Sequence, residues 1–248
     1  MTVFRNVVLV AALAGLVAGI VLAALQAYAT VPLILQAETY EASGESAGGH
    51  DHGTTEAGQP GAAHAHDHGD DAWAPADGFE RFAYNVAANI VSGIGFGLIL
   101  IAASELAGGI AGWRQGLFWG FAGFAIFTLA PGLGLPPELP AMPAADLYDR
   151  QVWWVATVAA TAIGLALIAF RRSAVFALIG VALIVAPHVI GAPQPASHDS
   201  PVPADLHHSF VVATTITNLL FWLVLGAVAG AVRSRLGGEQ AELSGRLA

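Results

Sequence analysis

The sequence predicts an all-α fold, a polytopic integral membrane bundle of about six transmembrane helices. Three observations carry that prediction. The 248 residues are 56% hydrophobic and only 11% charged, with a mean hydropathy of +0.64, far too apolar for an ordinary soluble domain. The apolar residues gather in stretches close to the roughly 20 residues a helix needs to cross the hydrocarbon core. Arginines crowd the segments on one side of those stretches and thin out on the other, the asymmetry of a positive-inside membrane protein.

Residues 1–36 hold the first span, about Val3–Tyr28. Ala27-Tyr28-Ala29, after an apolar run headed by Arg5, also resembles a signal-peptidase site; removal there leaves five spans. Residues 37–81 form a long loop rich in His, Asp, Gly, Ala and Ser, a composition that cannot bury a core and is expected to lack fixed structure without metal. Residues 82–133 hold the second and third spans, Phe82–Leu106 and Gly116–Leu133. Residues 134–151 are a loop stiffened by Pro136, Pro137, Pro140 and Pro143.

Residues 152–190 hold the fourth and fifth spans, Val152–Phe170 and Ala174–Ile190. Only Arg171-Arg172-Ser173 separates them, so they form an antiparallel hairpin, whose second arm is short and ends at Pro187-His188. Residues 191–209 are a second proline-rich loop, with Pro193, Pro195, Pro201, Pro203 and three histidines. Residues 210–232 are the sixth span and 233–248 a tail. With the N-terminus inside, Arg5, Arg114, Arg171, Arg172, Arg233, Arg235 and Arg246 are cytoplasmic, and only Arg81 and Arg150 are external. Both termini are then cytoplasmic, and residues 37–81 face outward.

Several function classes are excluded by composition. The net charge of −9 and the absence of lysine do not suit a nucleic-acid partner, because phosphate binding draws on Lys/Arg density. Without lysine there is no P-loop, and without cysteine no disulfide, iron–sulfur cluster or thiolate metal site. No His-Glu-x-x-His pair occurs, and the nucleophile, base and electrophile of an enzyme site are not assembled by any motif. The chain is therefore expected not to be an enzyme and to hold no tightly bound cofactor.

The chemistry concentrates in the long loop. His50, His52, His64, His66 and His68 put five of the nine histidines within 19 residues. Asp51 and Asp67 stand among them, and imidazole with carboxylate is the ligand set of divalent transition metals. His64, His66, Asp67 and His68 can fold around one ion, with His50, Asp51 and His52 completing the shell or forming a second site. The alternative is a low-complexity tract of weak, promiscuous affinity. Only Met1 and Met142 supply sulfur, so Cu(I) is unsuited, while cobalt, nickel, zinc and Cu(II) all fit.

A second polar group lies at the same side. His188 ends the fifth span, and His198, His207 and His208 precede the sixth. Asn85, Asn89 and Ser92 share one helical face, and Thr214, Thr215, Thr217 and Asn218 enter the sixth span from that side. They either line an outer vestibule or knit helices together. Glycine pairs Gly15/Gly19, Gly93/Gly97, Gly112/Gly116, Gly116/Gly120 and Gly226/Gly230 read as close-packing seams. Trp153, Trp154 and Trp222 read as interface anchors or packing, and Glu105 as the partner of Arg114.

Several stretches, in order, carry a family resemblance: Phe4-Arg5-Asn6; Pro32-Leu33-Ile34-Leu35-Gln36-Ala37-Glu38-Thr39-Tyr40-Glu41; Pro131-Gly132-Leu133-Gly134-Leu135-Pro136-Pro137-Glu138-Leu139-Pro140; Ala144-Ala145-Asp146-Leu147; Arg150-Gln151-Val152-Trp153-Trp154; Pro187-His188-Val189-Ile190-Gly191-Ala192-Pro193; and Leu220-Phe221-Trp222-Leu223-Val224-Leu225-Gly226. Over nearly its whole length the chain resembles the CbtA family of cobalt transporter subunits. The resemblance implies a bacterial inner-membrane protein of cobalt uptake serving cobalamin synthesis. It also implies membrane lipid around the chain and a small one-span His-containing partner, the CbtB-type subunit. Glu38, Glu41, Glu138 and His188 match the family's polar motif positions, and the resemblance nominates all four as secondary metal contacts.

The expected activity is uptake of a divalent transition metal, cobalt first and nickel or zinc as the other cargoes. The external loop collects the ion through His50, His52, His64, His66, Asp67 and His68. His188 and His207 then pass it toward the polar faces of the second and sixth spans. Two other classes compete: a metal-binding accessory or sensor that conducts nothing, and a membrane metalloenzyme that depends on the span-end histidines.

Overall fold

The computed structural model describes residues 2–48, 75–76 and 78–247, with side chains for residues 4–41, 75–76 and 78–236. The five loop histidines and Asp67 lie outside these residues. The described residues form helices and no strand. In order they are α1 (Thr2–Ala29), α2 (Val31–Gly48), α3 (Phe79–Leu106), α4 (Trp113–Phe124), a π-helical turn (Ala125–Leu129), α5 (Ala130–Gly134), α6 (Leu147–Phe170), α7 (Ala174–Ile190) and α8 (Ala204–Leu247).

Among the described residues, five segments are long and apolar enough to cross a membrane: Phe4–Ala29, Phe79–Leu106, Trp113–Gly134, Leu147–Phe170 and Ala204–Leu236. They correspond to the first, second, third, fourth and sixth predicted spans. The fifth span, α7, has only 17 residues and reaches about 26 Å, a little short of a hydrocarbon core of about 30 Å. Arg171-Arg172-Ser173 joins it to α6 as an antiparallel hairpin.

Helix starts run past the hydropathy boundaries where polar residues cap them. Asp146 accepts hydrogen bonds from the Tyr148 and Asp149 amides at 2.9 and 3.1 Å, so α6 begins one full turn before its first apolar run. Within the third span, Pro131 offers no N–H to the Phe127 carbonyl and its ring crowds that oxygen. The wider π-turn immediately before it accommodates the mismatch, and α5 closes the span.

The first part of the loop predicted for residues 37–81 is not irregular. Residues 37–48 continue α2, which follows α1 after a break at Thr30 and carries Pro32 in its first turn. Leu33, Ile34, Ala37 and Tyr40 recur at helical spacing, and tertiary contact supplies what the polar C-terminal half lacks. Ala37 belongs to a small core with Leu139, Val202, Leu206 and Phe210, against which Leu33, Ile34, Tyr40 and Met142 pack. This core covers one end of the bundle, hereafter the loop end; the other is the arginine end.

The main core lies between α1, α3, α4 and α8. Val10, Ala14, Ala18, Leu100, Ile101, Ile110, Leu225 and Ala229 are buried there, with Phe221 and Trp222. Trp222 stacks on Phe127 at 5.6 Å between centroids and donates its indole N–H to the Thr128 hydroxyl at 3.3 Å. Of the predicted alternatives for this tryptophan, packing is the one observed. Close backbone approach shapes the seams, since lipid offers no hydrophobic drive for one helix to join another. Gly15 and Gly19 of α1 lie against Gly93, Ile94 and Ile90 of α3, and Gly116 and Gly120 of α4 against Gly226 and Trp222 of α8. Gly164 and Gly180 do the same for the hairpin, where a Cβ on either would stand 2.6 Å from the other's carbonyl oxygen.

Two glycines in one helix separate packing from propensity. A Cβ on Gly93 would stand 2.6 Å from the Gly15 carbonyl, whereas one on Gly95 meets nothing within 4 Å. Gly93→Ala is therefore expected to lower stability by about 1–3 kcal/mol, the usual cost of overpacking. Gly95→Ala should be neutral or stabilise by up to about 1 kcal/mol through helix propensity. Thermal unfolding of the detergent-purified protein checks both; equal effects would contradict the seam.

Candidate functional site

At the loop end, the small core brings two polar groups together. Leu139 and Leu206 are both buried in it, at 3% and 7% exposure. Their chain neighbours, Glu138 and His207, therefore approach each other from different segments. The His207 Nε2 lies 3.1 Å from the Pro137 carbonyl oxygen. A carbonyl only accepts, so Nε2 carries the hydrogen, and the Nδ1 lone pair is left to bind a cation. The same Pro137-Glu138 unit thus orients the imidazole and presents the carboxylate.

Glu138 pairs with Arg150 of α6 at 3.0 Å, and both side chains are only about a quarter to a third exposed, at 25% and 30%. Across from them runs the loop 191–203. Its Ser197 hydroxyl donates to the Asp199 carboxylate at 3.2 Å and accepts from the Asp199 amide at 3.1 Å, which shapes the turn bearing His198. Glu138, Met142, His198, Ser200 and His207 line one cavity of about 150 Å³. It offers two imidazoles and a carboxylate, a suitable set for a borderline divalent metal. Among the described residues, however, no three of His, Asp and Glu converge closely enough to hold an ion as they stand.

The other nominated residues are placed differently. Glu38 of α2 accepts from Arg81 of α3, with one contact at 3.3 Å, and so ties the two helices together. His188 does not line the cavity; its ring packs edge-on against Trp153, 6.0 Å between centroids, and the Trp153 indole donates to the Pro187 carbonyl at 3.3 Å. His50, His52, His64, His66, Asp67 and His68 lie outside the described residues. His198 was noted in the sequence but not among the nominated ligands. Its signal in the sequence is its place in a proline-bounded loop leading to the sixth span.

Of the polar residues read as lining a vestibule or knitting helices, Asn89 knits α3 to α1. Asn89 donates to Gln26 of α1 at 2.7 Å and to Asn85 at 3.2 Å. Thr215, Thr217 and Asn218 bond to carbonyls of their own helix. The Thr161 and Thr214 hydroxyls are buried without a hydrogen-bond partner among the described residues.

At the arginine end the expected pairing is corrected. Glu105 bonds not to Arg114 but to Arg233 of α8, at 2.6 and 3.0 Å. Gly108 and Gly109, with φ of 93° and 81°, turn the chain so that the Ile110 carbonyl also accepts from Arg233 at 2.8 Å. Arg114 instead lies over the Trp113 ring. One motif points to other chemistry: Gly44-Glu45-Ser46-Ala47-Gly48 fits Gly-x-Ser-x-Gly. It falls within helix α2 rather than at a strand-to-helix elbow, so the context that activates such a serine is missing.

Long apolar helices packed side by side into a bundle define a multi-pass helical membrane protein. A family model described as "Probable cobalt transporter subunit (CbtA)" matches residues 4–234. The chain belongs to that family, and a subunit by that description works with a partner. No curated protein and no solved structure matches it.

Proposed function

We propose that the chain is the membrane subunit of a cobalt uptake system, and that the ion passes through the loop-end cavity. The observation that carries this reading is the lining of one cavity by Glu138, His198 and His207, on the end where α2 runs on in sequence into the His-rich segment. Arginine density supports an orientation with this end outside and both termini cytoplasmic, in the bacterial inner membrane that the family resemblance implies. His50, His52, His64, His66, Asp67 and His68 collect the ion, with nickel or zinc as lesser cargoes, and hand it to His198 and His207. Glu38 and His188, held by Arg81 and Trp153, serve at the rim of the path. Metal is cargo here, not a resident cofactor, and the chain performs no chemistry on it. The partner is a small one-span His-containing subunit of the CbtB type, and the cobalt serves cobalamin synthesis.

The test is radioactive cobalt uptake in transport-deficient bacterial cells with the partner present, with nickel and zinc as competitors. Saturable, cobalt-preferring uptake is expected. Deleting residues 48–71 should slow it about tenfold or more at scarce metal, as losing ligands of a metal site does, with recovery at saturating metal. No uptake despite membrane insertion overturns the reading and favours a metal-binding accessory.

A further inference from the structure

We propose that Arg150 is the specificity-determining residue of the loop-end cavity, a fixed counter-ion that only an imidazole-binding divalent cation displaces from Glu138. The inference rests on the cavity being the metal's path. Among the described residues, Glu138 is the only carboxylate lining it, and Arg150 occupies that carboxylate at 3.0 Å. To use this carboxylate, an incoming cation has to compete with the planar guanidinium already bonded to it.

Competition selects by charge and by ligand taste together. A monovalent cation brings no more charge than Arg150 itself. Magnesium brings two charges but demands oxygen ligands and sheds its water reluctantly. A cobalt-like ion that draws the lining side chains inward gains the carboxylate and two imidazoles. The His207 ring is already turned for this, because its Nε2–H is held by the Pro137 carbonyl one residue from Glu138. A hydrogen bond from the far ring nitrogen orients a metal-binding histidine in this way. Arg150 sits in the first turn of α6, so its release also frees a tie between α6 and the 135–146 loop.

The test measures binding of Co²⁺ alone to the purified full-length chain in detergent. The five loop histidines are replaced by alanine so that only the cavity reports. Arg150→Gln in this background should bind Co²⁺ about tenfold more tightly, the ratio that about 1.4 kcal/mol gives. It should also become sensitive to Mg²⁺ competition. Arg150→Lys should keep the parent's affinity and its indifference to Mg²⁺, and adding His207→Ala to Arg150→Gln should abolish the gain. Equal Co²⁺ affinity in parent and Arg150→Gln, or weaker binding in both Arg150 variants, overturns the role of Arg150 while leaving the cavity as a metal site. No cavity-dependent Co²⁺ binding in either parent or Arg150→Gln overturns the cavity reading itself, and this inference with it.

Discussion

Gly116→Leu should unseat α8 from α4 and leave little monodisperse protein after detergent extraction. A Cβ at Gly116 would run into the Gly226 carbonyl, with the Gly230 Cα 3.3 Å away, and the reciprocal clash awaits a side chain at Gly226. Both obstacles are backbone, so no rotamer change relieves them and the helices must separate. The expected loss is about 3 kcal/mol or more, at or beyond the upper end for overpacking. Gly132→Ala in the same span is the control, because nothing stands within 4 Å of its Cβ position. Size-exclusion profiles and thermal unfolding check the pair. A Gly116→Leu variant as stable as Gly132→Ala would contradict the α4–α8 seam.

Arg233→Met should be the most damaging change of a charged residue. It removes a two-point bond to Glu105 and a third bond to the Ile110 carbonyl. Arg233 and Glu105 are each about a third exposed, at 31% and 32%, so water screens the loss. A value between exposed and buried pairs, about 1–3 kcal/mol, is expected. Arg233→Lys should recover less than half of it, because an ammonium cannot reproduce the planar fork. A double-mutant cycle with Glu105→Gln, read by thermal unfolding, isolates the pair. Additive effects would contradict the coupling.

The spans were legible because crossing hydrocarbon imposes about 20 apolar residues, a constraint written directly into composition. The glycine seams were legible for a related reason: close helix contact in lipid needs small residues at i, i+4. Helix starts were less so. The turns before Val152 and Phe210 are polar, and their helicity rests on the Asp146 cap and on contacts with the small core rather than on hydropathy. The polar half of α2 escaped for the opposite reason, since its composition suits solvent and it continues a helix begun by Leu33, Ile34 and Ala37. Glu105 was paired with Arg114 on sequence proximity, whereas Arg233 reaches it only through the parallel packing of α3 and α8. The cavity was half visible: Glu138 and His207 were nominated, but the role of His198 depends on how two proline-rich loops face each other. Nothing local in a sequence encodes that.

The central claim is that metal crosses by way of the loop-end cavity. Its most direct test is the initial rate of radioactive cobalt uptake in transport-deficient bacterial cells carrying the partner subunit. The full chain is compared with its Glu138→Gln, His198→Ala, His207→Ala triple variant at matched membrane levels. The account predicts a fall of about tenfold or more, as loss of metal-site groups produces elsewhere, with the His-rich segment intact. Uptake at the parent rate would contradict it and move the path away from this cavity.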